Sequence, residues 1–439
     1  MTKLNKVKFS SLYKMSSGIS STPEQAGVGS PFLSFSSVFN NFFVPKNLND
    51  LMDTSVSEQK TYSIQKGDVF LTRTSETLDE LAISCVALED YPNATFSGFV
   101  KRLRPIKEKS VYPKFMGFYL RNELFRRIMN NNAIMTLRAS FNEEIFSYLD
   151  LYLPDYDTQK KVGDLLYKIY SKIELNEKIN SELHSISTNL YNHWFIQYQF
   201  PNENNKPYKS SGGEFYYNKN LKKDIPKKWV DGYLGDSIIS SNISSGIDTF
   251  SNEKIYLSTS EVANISIINH NNLITLSNKP SRANMQPKSD TIWFAKMKNT
   301  KKYILVSDFS DELINDYIFS TGFAGIQGKT NSLYYLWNFI NDVYFEKVKD
   351  LRAIGTTQKA VNNDFINQLK ILIPNEAVLD EFNKINKPIF KKIYTNEREN
   401  LILNNLINWL LPMLMNGQVT VKEAQEHINK AAEPQENYG

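Results

Sequence analysis

Four histidines, a single cysteine and a set of basic loops are the side chains of this 439-residue chain that could do chemistry. His184, His193, His270 and His427 show no metal-ligand spacing, and with one cysteine a zinc site lacks its usual donors. Cys85 sits in the apolar run 81–88 and reads as a small core residue, with a reactive thiol as the alternative. No Gly-x-Ser-x-Gly elbow is present. Gly328-Lys329-Thr330 fits the end of a phosphate loop, but the motif's first glycine falls at Phe323, so a flexible glycine turn is the plainer expectation. Pro154-Asp155 lacks the following acid-x-Lys of a nuclease and reads as a helix cap by Asp155 or Asp157. Neither an amino-methyltransferase Asn/Asp-Pro-Pro-aromatic segment nor an S-adenosylmethionine loop is found. The expectation is a chain without catalytic groups of its own.

Binding chemistry is better represented. Arg73 and Thr74 follow a strand, Arg102 and Arg104 lie in a basic run, and Arg138 precedes Ala139-Ser140. Later come Arg282, Lys296, Lys298, and Gln358 with Lys359. Arginine grips guanine in fork geometry, amides pair with adenine, and Lys, Ser and Thr hold phosphates. These ten are the candidate DNA-binding residues; ordinary solvated loops are the alternative for each. Their recurrence before the last strand of each half (around Arg138 and around Gln358-Lys359) favours a shared role.

The elements that must position them occur twice. Ser97-Gly98-Phe99, a helix-like stretch at 112–130, a strand ending Leu153-Pro154 and a long helix with Trp194 make the first copy. Thr321-Gly322-Phe323, a helix-like stretch at 332–350, a strand ending Ile373-Pro374 and a helix with Trp409 make the second. In the first copy, 69–71, 81–88, 96–103 and 146–153 read as strands and 114–129 as a helix, an α+β module. A repeat this long implies two globular modules and two long helices, not a solenoid.

Residues 157–199 read as a rod of roughly 40 residues, on the order of 60 Å at about 1.5 Å each. Val162, Ile169, Asn176, Leu183 and Leu190 recur every seventh position, with Leu166, Ile173, Ile179, Ile186 and Trp194 on the same side. A shift of 220 residues places Phe382, Ile389, Asn396, Leu403 and Leu410 on an equivalent seam, with Ile393, Leu406 and Leu414 beside it. Two such rods should pair antiparallel, with Asn176 and Asn396 approaching each other or, alternatively, as two surface asparagines. Pro388 and Pro412 should break or kink the second rod.

The expected division is a first recognition module at 1–154, a helix at 155–199, a linker at 200–228, a second module at 229–374, a helix at 375–416 and a tail at 417–439, disordered from about Asn429. The 41% hydrophobic and 13% aromatic content indicates folded protein, and a net charge of +4 permits a polyanionic partner without requiring one. No stretch reaches membrane-span length and the N-terminus has no signal core, so a cytoplasmic chain is expected.

Four segments together resemble the specificity subunits of type I restriction-modification systems. They are Gly67-Asp68-Val69-Phe70-Leu71-Thr72-Arg73, Leu151-Tyr152-Leu153-Pro154 with Gln159, and Trp194-Phe195 through Trp229 including Lys206-Pro207-Tyr208-Lys209 and Ile225-Pro226. The last is Leu410-Leu411-Pro412-Met413-Leu414-Met415-Asn416-Gly417-Gln418-Val419. The second helix junction lacks the glutamine, and the N-terminus has no counterpart of Ile225-Pro226…Trp229. The resemblance implies two pseudo-symmetric target-recognition domains and an antiparallel coiled coil. It also implies recognition of a bipartite, asymmetric double-stranded DNA site. Two modification subunits using S-adenosylmethionine would methylate adenine, and restriction subunits using ATP and Mg would cut unmodified DNA, with no cofactor in this chain. A lone nuclease or methyltransferase, or a coiled-coil scaffold binding proteins, are the competing readings. Cleavage by the isolated chain would mark the former, and failure to bind duplex DNA with partners present the latter.

Overall fold

A computed structural model describes residues 3–20, 22–75, 77, 80–132, 139–355 and 359–432. Internal contacts divide the chain into two units, Met1–Leu175 with Glu399–Gly439, and Asn176–Arg398. Among the described residues no helix is long and apolar enough to cross a membrane.

The first unit contains β1 (Asn5–Lys8), β2 (Tyr13–Ser17), β3 (Ala26–Leu33), β4 (Val69–Thr72), β5 (Ser84–Val86), β6 (Thr95–Phe96), β7 (Val100–Pro105) and β8 (Asp150–Leu153). Its helices include α1 (Pro113–Tyr119), α2 (Glu123–Asn132), α3 (Glu143–Tyr148) and the start of α4 (Tyr156–Tyr191). An antiparallel sheet has the order β2-β7-β4-β5, β3 pairs parallel with β6, and β1 pairs antiparallel with β8. Every residue of β4 is buried, as expected for a central strand covered on both faces. Phe115, Phe118, Tyr119, Phe125 and Phe146 fill the core with Val162, Leu166 and Ile169 of α4. Phe146 lies on helix α3, not on the expected strand, because the Asn142 side chain accepts the Ile145 N–H and starts a helical turn.

Helix α4 begins at an Asp155 cap whose Oδ1 accepts the Thr158 N–H at 2.9 Å. Buried Gln159 bridges three pieces of chain: its Oε1 accepts the Tyr112 N–H at 3.0 Å and its Nε2 donates to the Pro154 carbonyl at 3.0 Å. Gly163 lets α1 come close, since a Cβ there would lie 2.7 Å from the Phe115 nitrogen.

The second unit repeats the plan. It contains β9 (Val230–Tyr233), β10 (Ser240–Asn242), β11 (Lys254–Leu257), β12 (Thr291–Ala295), β13 (Tyr303–Val306), β14 (Tyr317–Ser320), β15 (Phe323–Gly328) and β16 (Lys370–Ile373). Its helices include α5 (Leu333–Asn341), α6 (Val343–Arg352), α7 (Asn363–Gln368) and the start of α8 (Glu376–Met415). The sheet order β10-β15-β12-β13 matches that of the first unit strand for strand. The parallel β11·β14 pair matches β3·β6, and the antiparallel β9·β16 pair matches β1·β8. The glycine-rich segment expected as a turn is β15, a central strand. Gly325 lies under the Trp293 ring, where a Cβ would come within 2.6 Å.

The stretch expected as a linker is ordered by its aromatics. Phe200 stacks on Tyr208 and Trp229 at 4.5 and 4.8 Å, and Phe215–Asn218 pairs with Lys223–Pro226. The expected tail carries α9 (Val421–Ala432), opened by reciprocal bonds between Thr420 and Glu423, with Ala424 in the first unit's core. Residues 433–439 lie outside the described residues.

The long helices pair antiparallel within each unit. In the first, Lys172 meets Glu399 at 3.0 Å. In the second, Asn180 accepts from Asn396 at 2.8 Å, His184 packs edge-on against Phe390, and Ser187 donates to Asn386 at 2.6 Å. Val162 and Ile169 share the first core with Leu403 and Leu410; Leu183 and Leu190 join Ile389 and Phe382 in the second. Asn176 and Asn396 are both fully buried, and the Asn396 amide engages Asn180, one turn beyond Asn176. Ile179 and Ile186 do not complete the seam as expected. Counting sevens from Leu166 gives Ile173, Asn180, Ser187 and Trp194, and the polar members face inward while Ile186 is 52% exposed. Pro388 and Pro412 do not end α8. Both lie on its exposed side, where water can take the carbonyls that lose an N–H.

Candidate nucleic-acid interface

Strand β4 delivers Arg73 to an exposed edge. The Arg73 N–H donates to the Phe99 carbonyl at 2.9 Å, and its own carbonyl accepts the Phe141 N–H at 2.8 Å. Thr74, half-buried, pairs in register with Ser140. Buried Lys101 donates to Ser17 Oγ at 2.8 Å. Burial, then the Arg73 charge, lowers its ammonium's pKa, while Glu143 pulls the other way.

Arg102 and Arg104 were expected at this surface and are used inside the unit. Arg102 is buried, donates to the Ser63 carbonyl at 2.6 Å and lies over the Phe96 ring. Arg104 forks onto Asp68 at 2.7 and 2.6 Å. The reason is Asp68, a fully buried carboxylate that needs a cation beside it. Arg138 lies outside the described residues.

In the second unit β12 delivers Lys296 in the same way. Its N–H donates to the Gly322 carbonyl at 3.0 Å, and its carbonyl accepts the Val361 N–H at 3.0 Å. Met297 bridges Ala360 as Thr74 pairs Ser140. Lys296 is half-buried, and burial lowers its pKa. The Lys298 N–H donates to the Lys359 carbonyl at 2.8 Å, which sets two exposed lysines side by side. Exposed Arg282 joins the group through its carbonyl, which accepts the N–H of Thr321, the residue before Gly322. Gln358 lies outside the described residues. Lys302 and Lys349 are structural: Lys302 donates to the Thr259 carbonyl, and fully buried Lys349 pairs with Glu346.

Arg73 and Lys296 therefore hold equivalent positions, each with the same pair of backbone bonds at the end of a central strand. Among the described residues neither they nor Arg282, Lys298 and Lys359 have a carboxylate within ion-pair distance. Such cations are free to hold phosphates, and Arg73 can also fork onto guanine. The histidines offer no comparable centre. His184 is half-buried, its pKa pushed down to about 4 by desolvation, His193 sits at 3.3 Å from the Gln197 side chain, and His270 at 2.6 Å from the Tyr317 hydroxyl. The Cys85 thiol is in the core, its pKa pushed up to about 12 by burial. The sequence shows Lys101 in one basic run with Arg102 and Arg104 but does not single it out; its pairing with Leu71, two residues before Arg73, brings it into the Arg73 group.

A family model described as the type I restriction modification DNA specificity domain matches residues 18–185. The MjaIX type I restriction enzyme specificity subunit of Methanocaldococcus jannaschii is 23% identical over 398 residues, covering 88% of this chain and 85% of that protein. The HindI specificity subunit of Haemophilus influenzae is 21% identical over 455 residues, covering 88% and 94%. In fold, the chain is similar to the crystal structure of a type I restriction-modification S subunit from M. genitalium, with a TM-score of 0.54, 12% identity, and coverage of 94% and 96%. With its duplicated plan, this chain is similar over most of its length to type I restriction-modification specificity subunits.

Proposed function

We propose that this chain reads a bipartite, asymmetric sequence in double-stranded DNA and directs adenine methylation and restriction by partner subunits. The observation that carries this is the equivalence of Arg73 and Lys296, two cations presented by the same backbone device in two copies of one α+β plan. Phosphate contacts from such residues set position, and base-edge contacts from the loops beside them set sequence. The two groups differ in detail, with Arg73, Thr74 and Lys101 in one and Arg282, Lys296, Lys298 and Lys359 in the other. Different groups read different half-sites, so the recognised sequence is asymmetric.

The long helices are the surfaces for two modification subunits, which bring S-adenosylmethionine, and their length sets the unread gap. Restriction subunits add ATP- and Mg-dependent cleavage. This chain contributes recognition and no catalytic group or cofactor, and it works in the cytoplasm beside the DNA. Methylome sequencing of cells expressing this chain with its modification partner tests the reading: a split adenine motif appears with the pair and is absent with the partner alone. Methyl transfer or cleavage by the isolated chain would instead make it an enzyme.

A further inference from the structure

The equivalent positions in the two units differ in one respect that the DNA-reading role does not itself require. In the first unit the residue opposite Arg73 is Phe99, which is 68% exposed. In the second the residue opposite Lys296 is Gly322, and the neighbouring Phe323 is fully buried in β15. Phe99 is held on a fixed turn. Its N–H donates to Ser97 Oγ at 3.2 Å, Gly98 N–H donates to the Ile19 carbonyl at 2.8 Å, and Val100 N–H donates to the Ser97 carbonyl at 3.0 Å. The register that pairs Leu71 with Lys101 and Thr72 with Val100 starts β7 directly after Phe99, whose carbonyl accepts the Arg73 N–H at 2.9 Å. Lys101 is more than nine-tenths buried. Among the described residues one of its three donors is filled, by Ser17, and no carboxylate lies within ion-pair distance.

We propose that Phe99 is a groove-entering apolar contact of the first half-site, with Arg73 and Lys101 gripping the phosphate beside it, and that the second half-site is read without such a contact. The inference rests on the DNA-reading role above. The ring is a large exposed apolar surface on the residue that bonds Arg73 and lies two positions before Lys101, which suits an apolar base edge or face flanked by phosphates. A protein partner would have to bury both cations with it, whereas DNA supplies their counter-charge.

The test uses the assembled complex with its modification subunits and duplexes carrying single base-pair changes in either half of the methylated motif. Phe99→Ala should lower affinity about tenfold. It should also flatten the base preference at one or two positions of the first half-site only. Arg73→Ala should weaken binding across sequences and reduce the salt slope by roughly one. Phe99→Tyr, which keeps the ring, should retain the preference. A Phe99→Ala complex of unchanged thermal stability that binds and discriminates like the parent overturns the proposal, as does equal loss in both halves. If the parent complex itself marks no split motif, the DNA-reading role fails rather than the assignment of Phe99.

Discussion

Basic side chains in this protein divide by whether a carboxylate or a carbonyl has claimed them. Arg102 and Arg104 look in sequence like Arg73, yet the buried Asp68 and the Ser63 carbonyl hold them. Nothing local in the sequence reveals that claim, because Asp68 lies 36 residues before Arg104. Arg104→Ala should therefore destabilise the fold by about 3 kcal/mol, the usual cost of stranding a buried charge such as Asp68, and urea unfolding would read it. Arg73→Ala should leave the urea midpoint in place. Two half-buried titrating groups bias stability in opposite senses. His184 is held neutral to about pH 4, so its contribution is full above about 6.5 and is lost as pH falls toward 4. The Glu397 carboxyl is pushed up to about 7 by burial, so its contribution is full at low pH and is lost as pH rises through 7. Between pH 6.5 and 5, His184→Leu should gain stability relative to the parent, and above pH 7 Glu397→Gln should do so. Thermal midpoints across that range would check both signs.

Periodicity made the long helices legible as elements, and it also misassigned part of their seam. Apolar Ile179 and Ile186 drew the reading away from Asn180 and Ser187, which a strict count from Leu166 selects. Burial there is satisfied by hydrogen bonds. Ser187 donates to Asn386 and accepts from Asn338 of α5, so one polar contact fixes both the pairing of the helices and their seat against the second module. Ser187→Val should cost about 1–3 kcal/mol by leaving the two amides short of a partner. Pro388 shows the complementary limit of local rules. Its helix-breaking tendency is overridden by the packing of Phe382, Phe390 and Ile393, so Pro388→Ala should stabilise the chain by about 1–3 kcal/mol. The C-terminal helix was hidden because residues 421–432 carry few apolar side chains; among the described residues Val421 and Ala424 dock it.

The duplication was legible from matching strand-Pro ends and heptads long before any sheet order could be drawn. Sheet order was not, since the strands that pair as β4 with β7 or β12 with β15 are not consecutive: residues 73–99 and 296–322, with further strands among them, lie between. What distinguishes the two copies is likewise a tertiary matter: the same strand end carries an exposed Phe99 in one and Gly322 in the other. Two recognition modules that differ only in such details should be exchangeable. Removing about seven residues (two helical turns) from both long helices should shorten the unread gap and leave both half-sites unchanged.

The most direct measurement is the methylome of cells in which residues 1–154 are replaced by the equivalent module of another specificity subunit, with the modification partner present. The account predicts a split adenine motif in which one half changes while the other half and the spacing persist. A motif altered in both halves, or an unsplit one, would contradict it.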